Sequence, residues 1–439
     1  MARQATITDI RAGSPDRMHG SAQVMTVAPI AETERISALD VLRGFALLGI
    51  LLMNIQAFSM PWDAYLNPTA FGDLTGANRW IWMVTHVVAD QKFISIFSLL
   101  FGAGIVLMTD RLDPGRTTAI HFRRMAILIA FGLLHAHGLW QGDILYAYGV
   151  CGLLVYPARK LPARRLILLG MVVLATGSLI YLASGLAMRN WPPEVVSDFT
   201  HEYWRSPVAA QQHELAVYRG GWLQQSSLRS PDALIMETFV FLFDIVWKVA
   251  GLMLIGMALF KLDVLAARRA DRFYRRLLMM GLGLGLPTVL YGMWANFRAG
   301  WDVRYSFFFG SQFNYWGSVL VALGWIAALL LLCRSGRLPA LQHRLAAIGR
   351  TAFSNYILQT VICTTIFYGH GFGLFGRVDR IGQLLFVFAI WSVQLVLAPV
   401  WLKHFAYGPL EWLWRSLTYG RTQPMRRLIA HHADRLPPR

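Results

Sequence analysis

Runs of about 20 mostly apolar residues recur along the chain and are separated by polar segments. Each run is long enough to cross the hydrocarbon core of a bilayer as a helix. The pattern therefore predicts an all-α fold, a polytopic transmembrane helix bundle of about ten spans. The predicted spans are residues 40–60, 80–109, 122–140, 143–157, 166–187, 234–260, 275–296, 312–333, 351–368 and 381–401.

Two of these spans are irregular. The second is over-long and is interrupted by Asp90-Gln91-Lys92, so we expect either a kinked span or a short interfacial helix followed by a span. The fourth is short because Gly142 and Pro157 bound it.

The spans divide the chain into three parts. Residues 1–35 are polar and predict a disordered cytoplasmic tail, which leaves the first span as an uncleaved signal anchor. Residues 36–405 predict the transmembrane bundle, and within them 188–233 form a long extracytoplasmic loop that is either a lid over an acceptor or a structured cover. Residues 406–439 predict an interfacial helix and a basic cytoplasmic tail.

Composition and charge agree with a membrane protein. The chain is 56% hydrophobic and only 15% charged, whereas roughly a quarter of the residues of a soluble domain are charged. Its net charge of +17 first suggests nucleic acid as a partner, but 29 of the 41 Lys and Arg residues lie in tails and loops on one face. This asymmetry follows the positive-inside rule, with both termini cytoplasmic. The predicted partner is a lipid bilayer, and nucleic-acid binding is excluded.

The first span carries polar residues. Asp40 and Arg43 are three residues apart and share one side of a helix, and Gly44 beneath them allows another backbone to come close. Asn54 lies about 21 Å further along the helix, beyond the bilayer midplane. Strongly polar groups at membrane depth usually face a bundle interior or a wet cavity, so this helix is predicted to line a polar space.

A histidine in the third span is the best candidate for acid–base chemistry. His135 lies roughly 17 Å into this span, so it could share a layer with Asn54. Asp143 follows in the next turn of chain and is close enough to orient the imidazole. A histidine with a carboxylate can activate a hydroxyl or an amine. The alternative is a histidine bonded to a carbonyl at a helix end, with Asp143 as a cap.

Further polar residues suggest a pocket for an anion. Asn355 and Gln359 lie one turn apart on one face of the ninth span and either line a pocket or join helices by hydrogen bonds. Arg43, Arg124 and Arg350 lie where three spans begin on the cytoplasmic side. Together they could hold a phosphate, because guanidinium matches phosphate geometry, although each alone is an ordinary positive-inside flank.

Other charged residues within the bundle favour a structural role. Asp244 and Lys248 are one turn apart and predict a mutually neutralising pair. His86 and Asp90 have the same spacing near the break in the second span. The three cysteines (Cys151, Cys333 and Cys363) are interpreted as small core residues, and no spacing typical of a metal site or a disulfide framework is visible.

Several motifs together resemble the YeiB family of bacterial inner-membrane proteins. The resemblance covers about residues 36–420. It is carried by the run from Leu39 to Ile55, by Phe97-Ser-Leu-Leu-Phe-Gly-Ala-Gly104, by Gly142-Asp-Ile-Leu-Tyr-Ala-Tyr-Gly149, by Gly349-Arg-Thr-Ala-Phe-Ser-Asn-Tyr-Ile-Leu-Gln359 and by Gly408-Pro-Leu-Glu-Trp-Leu-Trp-Arg415. It implies a multi-pass protein of the bacterial inner (plasma) membrane.

The N-terminal half is also distantly similar to heparan-α-glucosaminide acetyltransferase and other integral-membrane acyltransferases. Asp40, Arg43, Gly44 and Asn54 match that enzyme's Asp-x-x-Arg-Gly motif and the asparagine after it. The resemblance implies that an acyl group moves from cytoplasmic acyl-CoA to an acceptor. The enzyme's catalytic histidine, however, corresponds to Tyr65 here, so its mechanism does not transfer directly.

Three functions compete at this point. The first is a transmembrane acyltransferase with acyl-CoA as co-substrate and a small-molecule or glycan acceptor, in which His135, Asp143 and Asn54 are catalytic and Arg43, Arg124, Arg350, Asn355 and Gln359 bind the donor. The second is a transporter or exporter of a small amphiphile, which the broken second span and the buried charges favour. The third is a non-catalytic partner of an envelope system.

Overall fold

The computed structural model describes residues 37–110 and 114–427, and most of these are helical. The helices are α1 Ser37–Ser59, α2 Asp63–Leu66, α3 Gly76–Val88, α4 Lys92–Thr109, α5 Pro114–Gly138, α6 Leu145–Val155, α7 Ala163–Met188, α8 Pro193–Tyr203, α9 Val208–Tyr218, α10 Trp222–Ile235, α11 Val246–Lys261, α12 Asp271–Arg298, α13 Val303–Tyr305, α14 Ser311–Ser335, α15 Pro339–Arg350, α16 Ala352–Phe367, α17 Arg380–His404 and α18 Pro409–Tyr419. A 3₁₀ turn (Tyr156–Lys160) and two π-helical segments (Met236–Ile245 and Ser306–Gly310) join some of them. The predicted tail at 1–35 lies outside the described residues.

Eight segments within the described residues are long and apolar enough to cross a membrane. Five are single helices (α1, α5, α7, α12 and α17), and three are composite, namely Gly76–Thr109, Trp222–Lys261 and Val303–Ser335. These eight match eight of the ten predicted spans. The all-α polytopic bundle predicted from the sequence is therefore confirmed, and the count of about ten spans stays a prediction.

The other two predicted spans, 143–157 and 351–368, form shorter helices. α6 has 11 residues and α16 has 16. At 1.5 Å per residue they are about 16 and 24 Å long, below the thickness of about 30 Å that a lone spanning helix covers. α6 ends where the 3₁₀ turn begins at Tyr156, and α16 lacks one residue at each end of the predicted span.

α6 nevertheless returns along α5. Four contacts join the two helices in antiparallel order: His135 with Asp143, Gly132 with Tyr146, His121 with Gly152, and Thr118 with Tyr156. α6 and the 3₁₀ turn after it therefore cover the length of α5 from residue 135 back to residue 118.

α1 lies at the centre of the bundle and packs against α4, α15, α16 and α17. Its approach to α15 depends on two glycines. A Cβ on Gly44 would lie 2.0 Å from the carbonyl oxygen of Leu345, and one on Gly349 would lie 1.9 Å from that of Asp40. Because these contacts are to backbone, neither position has room for a side chain. The expectation that Gly44 admits another backbone is confirmed.

The predicted break in the second span separates α3 from α4. Gln91 at the break has a left-handed φ of 62°, which ends the first helix before Lys92 starts the second. The Phe93 ring packs against Gly49 of α1, and Gly49 lies about 14 Å along α1 from Asp40. The break is therefore close to the middle of the bundle, so the segment is an interrupted span.

The predicted loop at 188–233 is mostly helical. α8, α9 and α10 lie over one end of the bundle: Glu214 accepts a hydrogen bond from the Trp62 backbone after α1, and the Trp222 indole donates to the Gly138 carbonyl of α5. Burial raises the pKa of Glu214 to about 8. The fold of this segment favours a structured cover, while its extracytoplasmic location stays a prediction.

α18 is amphipathic and is anchored to the bundle by its acidic residue. Glu411 is buried and accepts hydrogen bonds from the backbone of Phe353 and Ser354 at the start of α16, at 2.7 and 3.1 Å. Carboxylates at a helix N-terminus satisfy otherwise unpaired N–H groups there. Burial raises the pKa of the Glu411 carboxyl despite these bonds. α18 thus fixes the start of α16.

Candidate functional site

The end of α5 and the start of α6 hold the predicted histidine and aspartate together. His135 Nδ1 lies 2.8 Å from Asp143 Oδ1, and Asp143 Oδ2 accepts the Tyr146 N–H at 2.8 Å. Asp143 therefore does both things that the sequence left open: it orients the imidazole and it satisfies a backbone group in the first turn of α6. The short loop between the helices brings the two residues together.

A threonine that the sequence did not indicate completes this cluster. Thr360 of α16 places its Oγ1 3.0 Å from His135 Nε2. A threonine in an apolar helix ordinarily bonds the carbonyl four residues back, which makes it easy to overlook. Here that carbonyl, of Tyr356, is 3.5 Å away, so His135 is the nearer partner. The sequence motif that begins at Gly349 ends at Gln359, one residue before Thr360, and so did not include it.

The cluster is closed to bulk solvent. His135, Asp143 and Thr360 are 3%, 8% and 1% exposed. The buried Trp140 ring packs 4.1 Å from Phe58 of α1, and its centroid is 6.4 Å from that of His135. Polar groups in such a water-poor interior interact more strongly than they do in water.

Asn54 lies one turn before Phe58 on α1 and is half-buried. Within the described residues the structure shows no hydrogen bond between Asn54 and His135. On α1 it is Phe58, rather than Asn54, that is connected to the histidine. The Phe58 ring packs against Trp140, and the Trp140 ring approaches His135. A catalytic role for Asn54 stays a prediction.

The predicted arginines lie in the second turn of α1 (Arg43), near the middle of α5 (Arg124) and at the last residue of α15, just before α16 (Arg350). Arg43 pairs with Asp40 at 2.9 Å, and Arg124 lies over the Trp414 ring of α18 at 4.4 Å. Arg124 is also within electrostatic reach of Arg43 and of Arg415. Several cationic groups therefore converge at one mouth of the bundle.

Arg350 is connected to the same region through aromatic residues. It is half-buried at the end of α15, three residues before Phe353, whose ring centroid is 5.9 Å from that of Trp414. Trp414 thus lies between Arg124 and the start of α16. A phosphate held by all three arginines stays a prediction.

The predicted amides are bonded to other helices. Gln359 donates to Gln394 of α17 at 3.0 Å, Gln394 donates to Asn355 Oδ1 at 3.1 Å, and Asn355 donates to Thr351 Oγ1 at 2.7 Å. All four side chains are buried. This geometry favours the helix-joining alternative, and a role of Asn355 and Gln359 in donor binding stays a prediction.

A second polar cluster surrounds the helix break. The Asn314 amide of α14 bridges two charged side chains: its Oδ1 accepts from Lys92 at 2.6 Å and its Nδ2 donates to Asp90 at 2.7 Å. Lys92 also donates to the His86 carbonyl at 2.8 Å, and His86 Nδ1 lies 3.0 Å from Asp90. Lys92 is fully buried, so the break is held by a compensated network.

Lys248 of α11 joins this network, and Asp244 does not pair with it directly. Lys248 donates to Gln91 and to Ser318 Oγ, the latter at 3.1 Å, whereas Asp244 lies beside Tyr181. The two charges nevertheless lie within electrostatic reach of each other, as expected of a neutralising pair, although no direct hydrogen bond joins them among the described residues. The segment up to Ile245 is π-helical, and a wider turn changes which residues lie above one another.

The described residues contain no group of three or more His, Cys, Asp or Glu side chains that could hold a metal ion. Cys151, Cys333 and Cys363 are free thiols, and the first and last are buried. The polar clusters are thus built from protein groups bonded to one another.

Comparisons with known proteins place the chain among bacterial relatives. Residues 259–421 match the family described as "Protein of unknown function (DUF418)". The chain is 33% identical to "Uncharacterized protein YeiB" of Escherichia coli (strain K12), over 89% of this chain and 98% of the relative. It is 28% identical to "Uncharacterized protein YxaH" of Bacillus subtilis (strain 168), over 91% and 98%. This multi-pass membrane protein therefore belongs to the YeiB family.

Proposed function

We propose that the chain is an integral-membrane acyltransferase that moves an acyl group, an acetyl group in the simplest case, from cytoplasmic acyl-CoA to a hydroxyl or an amine. The acceptor is a small molecule or a glycan of the cell envelope. The observation that carries this proposal is the buried His135, which Asp143 holds at 2.8 Å. Because Asp143 accepts the Nδ1–H, Nε2 keeps the lone pair that a general base needs.

The arginines at the mouth of the bundle suit the donor. Acyl-CoA carries phosphate groups, and guanidinium groups bind phosphate in a fixed geometry. Arg124 and His135 are both on α5, about 16 Å apart along its axis. An extended ligand could therefore rest its phosphates at the arginines while its thioester reaches the histidine. In this arrangement Asn54 would donate its amide N–H to the thioester or to the acceptor.

The resemblance to heparan-α-glucosaminide acetyltransferase supports acyl transfer as the reaction class. It does not indicate which histidine is catalytic in this chain. Tyr65, at the corresponding position, stacks on Trp62 at 5.5 Å and lies within electrostatic reach of Asp90. It therefore belongs to the surroundings of the helix break. For this reason the proposed mechanism uses His135.

Neutralising the arginines tests donor binding. Incubation of the purified protein with labelled acetyl-CoA and an envelope extract should transfer label to the extract. Arg43→Gln, Arg124→Gln and Arg350→Gln should each raise KM for acetyl-CoA by about tenfold, because a hydrogen bond to a charged group contributes about 1.5–3 kcal/mol. The control is Arg298→Gln at the end of α12, which should leave KM unchanged. An unchanged KM in the triple variant would contradict the proposed donor site.

Transport of a small amphiphile is the second candidate, and the helix break favours it. Broken helices and buried charges near the bilayer midplane are typical of transporter binding sites. Here Lys92, Asp90 and Asn314 meet where α3 ends and α4 begins.

Sealed vesicles separate the two candidates. If the protein is a transporter, vesicles with an imposed pH gradient should accumulate unmodified label from a ¹⁴C-labelled cell extract, and Asp90→Asn should abolish this accumulation. The matched control is Asp302→Asn, which alters an exposed cap before α13. Transfer of label from acetyl-CoA without such accumulation would contradict the transport candidate.

A further inference from the structure

We propose that Thr360 is the nucleophile that first receives the acyl group, so that Asp143, His135 and Thr360 form a catalytic triad. This inference rests on the proposed acyltransferase function and adds a covalent acyl-threonine step to it. Asp143 Oδ1, the two ring nitrogens of His135 and Thr360 Oγ1 form one chain of short contacts, at 2.8 and 3.0 Å.

The hydrogen atoms in this chain can be placed by its chemistry. Asp143 is an acceptor, so His135 donates to it through Nδ1–H and presents a lone pair at Nε2. The hydroxyl group of Thr360 then donates to Nε2. The Tyr356 carbonyl, at 3.5 Å, is a more distant acceptor for the same hydroxyl group. The proton of Thr360 therefore points at the base that would remove it, which is the arrangement of an activated nucleophile.

The three groups come from two helices and the loop between α5 and α6. His135 lies in the last turn of α5, Asp143 lies in the loop before α6, and Thr360 lies within α16, 225 residues along the chain from His135. Glu411 fixes the start of α16, and Asp143 also bonds the first turn of α6. Groups held by packed helices need little reorganisation before they react.

A fourth residue supplies a hydrogen-bond donor beside the triad. Tyr356 lies one turn before Thr360 on the same face of α16, and its ring centroid is 5.3 Å from that of His135. The oxygen of its buried hydroxyl group faces the Ile144 backbone, and within the described residues no acceptor is found for its O–H. Buried polar groups without partners are costly, and such a donor could serve the oxyanion of an acyl-transfer intermediate.

The first half of the reaction forms the acyl-threonine. Thr360 Oγ1 attacks the thioester carbonyl carbon while His135 Nε2 takes the hydroxyl proton. The C–S bond then breaks, and the proton on His135 passes to the leaving thiolate, which departs as free CoA.

The second half transfers the acyl group to the acceptor. His135 removes a proton from the acceptor hydroxyl or amine, which attacks the ester carbonyl carbon. The bond to Oγ1 breaks, and Thr360 recovers its proton from His135. Donor and acceptor are the only reactants, and no oxidant or reductant is needed.

A covalent intermediate predicts a reaction that needs no acceptor. The full-length protein in detergent should exchange radiolabel between free CoA and acetyl-CoA, because formation of the acyl-enzyme is reversible. Direct transfer from donor to acceptor allows no such exchange. Peptide mass spectrometry after quenching should locate an acetyl group on Thr360.

Four variants test the assignment. Thr360→Val should lose exchange, whereas Thr360→Ser should retain it because the hydroxyl group remains. Tyr356→Phe should lower exchange by roughly 10²- to 10³-fold, the cost of one oxyanion donor. Thr364→Val, one turn further along α16, is the matched control, because Thr364 is also buried but bonds the Val361 carbonyl. Thermal unfolding of each variant shows whether it is folded.

The possible outcomes distinguish the assignment of Thr360 as the nucleophile from the proposed acyltransferase function. Exchange in the wild type that disappears in folded Thr360→Val and persists in Thr360→Ser supports the triad. Exchange that persists in Thr360→Val overturns it, and so does acetyl transfer to an envelope extract without any exchange; in both cases the acyltransferase function stands. Neither exchange nor transfer in the wild type overturns the proposed function and the triad together.

Discussion

Replacing His135 with alanine is expected to lower the rate of acyl transfer by about 10²- to 10⁴-fold, the usual contribution of a positioned general base. The reason is its double contact, with Asp143 at 2.8 Å and Thr360 at 3.0 Å. No other imidazole within the described residues contacts either side chain. The measurement is release of CoA from acetyl-CoA in the presence of an envelope extract.

His137→Ala is the matched control for this experiment. His137 lies half a turn further along α5, its side chain is 39% exposed, and its Nε2 is 3.2 Å from Glu237. Its loss should change the rate less than twofold. A second comparison is Asp143→Asn, which keeps the size of the side chain but disfavours the Nδ1–H tautomer, and should lower kcat while leaving KM nearly unchanged. Full activity in folded His135→Ala would exclude the histidine as the base.

Of the three residues of this candidate site, the sequence predicted the two that lie close together along the chain. His135 and Asp143 are eight residues apart on either side of one turn, so their contact could be predicted from helix length alone. Thr360 could not, because no local rule specifies which face of α16 meets the end of α5. That packing depends on long-range contacts, among them the bond from Glu411 to the start of α16.

The fold, like the candidate site, could be predicted from the sequence only in part. Apolar runs predicted about ten spans, and eight of these are long and apolar enough to cross, because burial in a bilayer demands length and hydrophobicity. Gly142 and Pro157 already indicated that α6 is short, whereas nothing in the apolar run of α16 indicated that this helix has only 16 residues. The spacing of Asp244 and Lys248 predicted their electrostatic coupling but not their hydrogen-bond partners, because a π-helical segment changes the register that an α-helix would give.

The same local rules indicated the helix break without revealing its partners. Asp90-Gln91-Lys92 was visible as a polar interruption, but the residue that holds it, Asn314, lies more than 200 residues away in sequence. Burying these charges is tolerable only when each has a partner. The network is therefore a strict requirement of the fold, whichever function the bundle performs.

Lys92→Met is accordingly expected to lower the free energy of unfolding by about 3–5 kcal/mol, the range for removing one member of a buried charged network. Lys92 is fully buried and donates to Asn314 and to the His86 carbonyl. Methionine fills a similar volume, so the loss would reflect the missing donor rather than a cavity. Unfolding by denaturant titration in detergent micelles, followed by tryptophan fluorescence, measures the change.

Two further variants test the physical reason for this prediction. Lys261→Met removes an exposed lysine that bonds the Leu161 carbonyl, and it should cost less than about 1 kcal/mol, as surface charges usually do. Adding Asp90→Asn to Lys92→Met removes the carboxylate that would otherwise lack a compensating charge, so the double variant should be more stable than additivity predicts. If Lys92→Met were as stable as Lys261→Met, the ion network would not be what holds the broken helix in the bilayer.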